Sequence, residues 1–121
     1  MGYTEFKQGY IEAIFFTSQG DTDDLIPDDK DQFDFSEEAQ ERIELECSAF
    51  YKICSPLWEE EFQAGDYSDK KAGMDFWLTR NRHGAGFWDG DLQNGEELTQ
   101  ISHSYGETDA YTGDDELIYL S

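Results

Sequence analysis

Residues 74–91, MDFWLTRNRHGAGFWDGD, decide how this chain is read. Two aromatic-rich runs, MDFWLTR and AGFWDG, flank the polar segment NRHG. Large rings on either side of a turn-forming stretch predict a β-hairpin. In that reading Phe76 and Leu78 share one face of a sheet and Trp77 and Thr79 the other, because side chains alternate along a strand. Gly84 and Gly86 supply the turn geometry. A hairpin here makes the chain α+β rather than all-helical.

Downstream, residues 95–105 predict a helix with Leu98, Ile101 and Tyr105 on its apolar stripe. Asn94 is its expected cap, Glu97 follows three residues later as in a capping box, and Gly106 is a natural stop. The chain then runs AYT, GDDE, LIYL, which reads as a second hairpin. Upstream, residues 36–54 carry the clearest helical periodicity. Ser36 is the expected N-cap, and Ala39, Ile43, Cys47, Phe50, Tyr51 and Cys54 recur at steps of three and four. Pro56 ends this helix, and Ser55-Pro56 can open another over 56–63, with Leu57, Trp58 and Phe62 inward. Residues 64–73 read as a loop. Residues 4–16 predict a helix with Phe6, Tyr10, Ala13, Ile14 and Phe16 at helical spacing, although Gly9 weakens it. Residues 17–35 are dominated by Asp, Gly and Pro and read as an acidic loop tacked down by Leu25, Ile26, Phe33 and Phe35. The expected architecture is one acidic α+β domain over 1–121, a small antiparallel sheet of two β-hairpins packed with three or four helices.

The charge is extreme. Among 121 residues, 29 are Asp or Glu and 8 are Lys or Arg, a net of −21. Such a balance usually accompanies disorder, but aromatic residues make up 16% of the chain, and rings build a core from few residues. Direct binding to nucleic acid or to anionic membranes is disfavoured, because both need clustered cations. No segment has the length and apolarity of a membrane span, and no secretory leader is expected with Glu5 and Lys7 so early. Cys47 and Cys54 lie seven residues apart, about 10 Å along a helix, too far for an intrahelical disulfide, so buried thiols are expected.

Twelve of the acids lie between Asp21 and Glu46, against two bases. Asp21, Asp23, Asp24, Asp28, Asp29, Asp31 and Asp34 fill the loop. Glu37, Glu41 and Glu44 form a row on the helix face opposite the apolar one. Glu59, Glu60 and Glu61 make a second patch. Side chains three and four apart on a helix lie about 5–6 Å from one another, and duplex DNA carries one charge per roughly 1.7 Å of axis. Carboxylates so placed can imitate the charge of a short duplex and occupy the DNA-binding cleft of a basic protein. The plainer reading is a solvated face that maintains solubility. Calcium is a third option for the Asp-rich loop, but DTDDLIPDDKD lacks the Gly and closing Glu of an EF-hand.

The segment 75–91 gathers Arg80, Arg82 and His83 in a chain poor in bases. Arg80, Asn81, His83 and Asp89 form a motif of open role. His83 with Asp75 or Asp89 could act as an acid–base pair in a small enzyme or ligand-binding domain. Alternatively the rings are core residues and the charges are internal ion pairs. No Gly-rich phosphate loop, zinc spacing or GxSxG elbow is present, so neither a catalytic residue, a cofactor nor a metal is expected.

The run Asp75-Phe76-Trp77-Leu78-Thr79-Arg80-Asn81, continued by His83-Gly84-Ala85-Gly86-Phe87-Trp88-Asp89, resembles a motif in a family of small proteins from tailed bacteriophages. GYIEAIFFTS at the start and GDDELIYL at the end resemble that family's ends, so the likeness covers most of the chain. It departs at Arg82, where the family more often has Gly, and at Gly90, where a basic residue is more frequent. The resemblance implies a phage origin and expression in the cytoplasm of a bacterial host, and it carries over no catalytic residue. Small acidic phage proteins often inhibit host enzymes, and unrelated anti-restriction families do so by DNA mimicry. The expected function is therefore a non-enzymatic DNA mimic, monomeric or homodimeric, that binds a basic host nucleic-acid-handling or defence protein.

Overall fold

The computed structural model of the chain describes residues 2–18, 31–58, 68–82, 86–87 and 94–120. Within them, helices α1 (Gly2–Ser18), α2 (Glu37–Cys54), α3 (Asp69–Arg80) and α4 (Gly95–Ser104) precede strands β1 (Ala110–Thr112) and β2 (Ile118–Leu120). The strands form an antiparallel pair with Tyr111 opposite Tyr119. The fold is α+β and mostly helical. No helix of the described residues is long and apolar enough to cross a membrane.

The aromatic segment departs most from the expected fold. Residues 75–80 are not the first arm of a hairpin but the end of α3. The helix starts inside the stretch read as a loop, where the Ser68 hydroxyl accepts from the Lys71 N–H at 3.1 Å. Its buried residues are Ala72, Gly73, Asp75, Phe76, Trp77, Thr79 and Arg80, which by helical rotation cover about 200° of its circumference. That wide buried side includes the polar Asp75, Thr79 and Arg80, and the opposite side includes the apolar Met74 and Leu78, so the sequence lacks the 3.6-residue contrast that marks an amphipathic helix. Phe76 and Trp77, assigned to opposite faces, are both buried.

Helix α3 lies along α1, and two glycines set the distance. A β-carbon on Gly73 would collide with the carbonyl oxygen of Phe6, and one on Gly9 with that of Lys70. The residue that weakened the reading of α1 is thus what lets α3 approach. Between these helices and α2 lies an aromatic core. Phe50 stacks on Phe76 with ring centroids 3.9 Å apart, Phe6 on Trp58 at 5.7 Å, and Phe87 on Phe50 at 5.9 Å. Both described indoles in this core satisfy their donors: Trp58 Nε1 to Asp69 Oδ1 and Trp77 Nε1 to Thr17 Oγ1, each at 2.9 Å.

The expected helix α2 matches closely. The Ser36 hydroxyl accepts from Ala39 N–H at 3.0 Å, and Ala39, Ile43, Cys47, Phe50 and Cys54 are buried. In α1, Phe6, Tyr10, Ala13 and Ile14 are buried, but Phe16 is exposed. Phe35 docks the end of the acidic loop: it is buried, it bridges Ile118, and the next N–H, of Ser36, donates to the Ile118 carbonyl at 2.9 Å. Phe33, expected to help, points to solvent. Ser55–Leu57 forms a single 3-10 turn without a side-chain cap, and Trp58 behind it is fully buried. Asn94 does not cap α4; its amide donates to the Leu57 carbonyl at 2.8 Å and ties α4 to that turn. Gly106 ends α4 with a φ of +78°.

Candidate functional site

Arg80 belongs to the fold's interior. Its side chain has no solvent exposure. Nη1 donates to Glu46 Oε1 at 2.5 Å and to the Tyr10 hydroxyl at 3.1 Å. Nε and Nη2 donate to the Gly106 and Tyr105 carbonyls at 2.9 and 3.0 Å, closing the C-terminus of α4. The guanidinium also lies 5.6 Å from the Phe76 ring centroid and 5.8 Å from that of Tyr105. Burial pulls its pKa down, and Tyr10 and Glu46 outweigh that effect, so it stays charged. One cation therefore joins α1, α2, α3 and the end of α4, as the internal ion-pair reading of this motif anticipates.

Asn81 and Thr79 extend the same junction. Asn81 Oδ1 accepts from the Thr108 N–H at 2.7 Å, and its amide donates to the Trp77 carbonyl at 3.0 Å. The Thr79 hydroxyl accepts from the Phe87 N–H at 2.9 Å. Gly86, at a φ of +155°, passes so close to that hydroxyl that a β-carbon would collide with it. His83 and Asp89 lie outside the described residues.

Both cysteines are buried free thiols, as expected. Burial raises the pKa of Cys47, and burial together with the Glu97 charge pushes that of Cys54 up to about 11. Thiols held protonated are poor nucleophiles.

The acids divide into three groups. Asp21, Asp23, Asp24, Asp28, Asp29, Glu59, Glu60 and Glu61 lie outside the described residues. A second group serves the fold. Asp31 accepts from the Phe33 N–H at 2.9 Å, and Asp34 accepts from the Asp31 N–H at 2.8 Å, a reciprocal cap on the turn before α2. Glu44 does not stand free in the expected row. Lys7 Nζ lies 2.8 Å from its Oε1 and the Tyr3 hydroxyl 3.0 Å from its Oε2. The Lys7 ammonium, then the Tyr3 hydroxyl, hold its carboxyl below the usual range. Both partners come from α1, about forty positions away, beyond the reach of any local sequence pattern.

Glu37, Glu38 and Glu41 form the third group. They are exposed in the first turns of α2 and make no hydrogen bond or ion pair with any described residue. Asp31 is exposed beside them in sequence, and Asp34 is half-buried. The described ion pairs engage Lys7, Arg42, Lys70, Arg80 and Arg82 with only Glu44, Glu46, Glu12 and Glu107. Few cations thus remain to neutralise the other acids.

No protein-family model, curated protein or solved structure matches this chain. Among the described residues no three His, Cys, Asp or Glu side chains converge as metal ligands. The site with the clearest physical character is therefore electrostatic: the N-terminal turns of α2 and the acidic turn that leads into them.

Proposed function

We propose that this chain is a bacteriophage protein that acts as a DNA mimic inside its bacterial host. It binds a basic nucleic-acid-handling or defence protein and occupies the cleft meant for DNA, without catalysis of its own. The observation that supports this most is the set Glu37, Glu38 and Glu41, exposed and without internal cations on one helix of a chain with net charge −21. The helix dipole favours Glu37 and Glu38 in the first turn, but no described cation pairs with any of the three, and their mutual repulsion costs stability. Asp31 and Asp34 extend the negative surface, and the acids of 21–29 and 59–61 raise the chain's negative charge. Association of such a surface with a cationic cleft is fast and weakens with salt.

The test is capture from host lysate on the immobilised protein at low and high salt, followed by challenge with duplex DNA. The expected result is a retained DNA-binding protein released by salt and displaced by the duplex. Retention that ignores both salt and DNA, or no retained DNA-binding protein, contradicts the proposal.

A further inference from the structure

The face of the β1–β2 hairpin that points away from the core carries a pair of tyrosines. Alternation along the strands puts Ala110 and Ile118 inside, where both are buried, and Tyr111 and Tyr119 outside. Tyr111 is 40% exposed and Tyr119 half-buried. Their rings lie side by side, with centroids 5.9 Å apart and planes 23° from parallel. With Gly113, Asp114 and Asp115 they line a shallow depression of about 320 Å³. A β-carbon on Gly113 would come 2.7 Å from the Tyr119 ring, so the turn passes beside that ring only as glycine. Asp115 fixes one wall, accepting from the Tyr119 hydroxyl at 2.6 Å and from the Leu117 N–H at 3.0 Å. The bond to Asp115 first, then lost hydration and the charges of Asp115 and Glu38, push the Tyr119 pKa up to about 12. Glu38 thus acts on the same ring from α2, whose N-terminus is joined to the hairpin where the Ser36 N–H donates to the Ile118 carbonyl at 2.9 Å.

We propose that this depression receives an arginine side chain of a partner protein, its guanidinium laid on the Tyr111 and Tyr119 rings and donating to Asp114 or Asp115. The occupant follows from charge. The faces of aromatic rings are negative and attract a cation placed over them. None of the ion pairs among the described residues engages Glu38, Asp114 or Asp115, so the depression offers anions and ring faces and supplies no paired cation. A guanidinium is planar, so it stacks on a ring while donating in its own plane to a carboxylate, whereas an ammonium is a hydrated point charge without that fit. A second copy of the chain would set the same acids against these. The tyrosines also stabilise the hairpin, as any cross-strand aromatic pair does, but that role alone predicts no preference among cations. The inference rests on the DNA-mimic reading and sharpens it: arginines that grip phosphates in a DNA-binding cleft are the side chains this site would take, and Glu38 links it to the exposed acids of α2.

Two-dimensional amide NMR of the full chain, titrated with the blocked peptide acetyl-Gly-Arg-Gly-amide and separately with its lysine counterpart, tests this. The expected result is movement of the Gly113 and Asp114 signals, with half-saturation at a concentration about threefold lower for the arginine peptide. Tyr111→Leu should weaken that binding about threefold, and Tyr111→Phe, which keeps the ring, should hold it within about twofold. Asp114→Asn should weaken it about threefold. Cross-strand nuclear Overhauser contacts between β1 and β2 show that the hairpin is intact in each variant, and Asp114→Asn keeps the test if Tyr111→Leu disturbs it. Signals that stay in place throughout the titration, equal half-saturation for the two peptides, or an intact Tyr111→Leu or Asp114→Asn variant that binds like the parent would each overturn the proposal. Binding of the arginine peptide here, with no DNA-binding protein retained from host lysate, would count against the proposed function alone.

Discussion

On α2, Glu46 turns inward, with 17% of its side chain exposed and Arg80 at 2.5 Å. On the same helix Glu37 and Glu41 face water with no cation among the described residues. Identical side chains thus do opposite work within three turns. The inner carboxylate balances a guanidinium that has no contact with solvent, and removing it strands that buried charge. The outer carboxylates pair with no described cation and add to the chain's self-repulsion, with only the helix dipole in their favour at Glu37. The acidic composition is therefore not one property. Part of it holds the molecule together, and the rest carries a cost of repulsion that the proposed cationic partner would offset.

The sharpest way to break this contrast is to remove the inner cation. Arg80→Leu leaves Glu46 with only its longer contact to Arg42, 3.4 Å away, and leaves the Tyr105 and Gly106 carbonyls without their donor. The expected loss is about 3–5 kcal/mol in urea unfolding. A loss below about 1 kcal/mol would mean that the junction is incidental.

A second test concerns the approach of α1 and α3. Intrinsic propensity favours Ala over Gly in a helix by about 1 kcal/mol. At Gly73 the collision with the Phe6 carbonyl should reverse that sign, so Gly73→Ala should destabilise by about 1–3 kcal/mol and lower the Tm. A stabilised variant would show that the helices do not need this contact.

Alkaline pH sharpens the inside of the comparison. Burial and Glu97 raise the Cys54 pKa to about 11, and burial raises those of Cys47 and Tyr10. Above the unfolded thiol value, near 8.5, the unfolded chain releases protons that the folded chain retains. Stability is then fully present below about pH 8.5 and falls as pH rises toward 11, by on the order of 1–3 kcal/mol from Cys54. Cys54→Ala should flatten that part of the curve, and an equally steep fall in the variant would contradict the assignment.

These contrasts also explain what was legible in the sequence. Helix α2 is half-exposed, so its apolar stripe and Ser36 cap stood out. The hairpin formed by β1 and β2 is bounded by a polar turn and was equally plain. Helix α3 was hidden because Ala72, Phe76 and Arg80 on one line, and Gly73 and Trp77 on the next, are all buried. What the sequence displays instead is two aromatic-rich runs around a polar, Gly-containing segment, which reads as a hairpin. Gly73 was taken as a loop residue because contact with another helix leaves no local mark. The candidate surface was legible in part. Glu37 and Glu41 followed from helical period alone, whereas the removal of Glu44 depended on Lys7 and Tyr3 of α1.

The fold depends on the inner carboxylate of α2 far more than on the outer ones. Urea unfolding of Glu46→Gln and of Glu37→Gln/Glu41→Gln, side by side in the same buffer, tests this most directly. The expected result is a loss of about 3 kcal/mol or more for the first and a change within about 1 kcal/mol for the second, where the lost dipole interaction of Glu37 is offset by relieved repulsion. Equal losses in the two variants would contradict it, because the outer carboxylates would then be part of the fold and not a surface held for a partner.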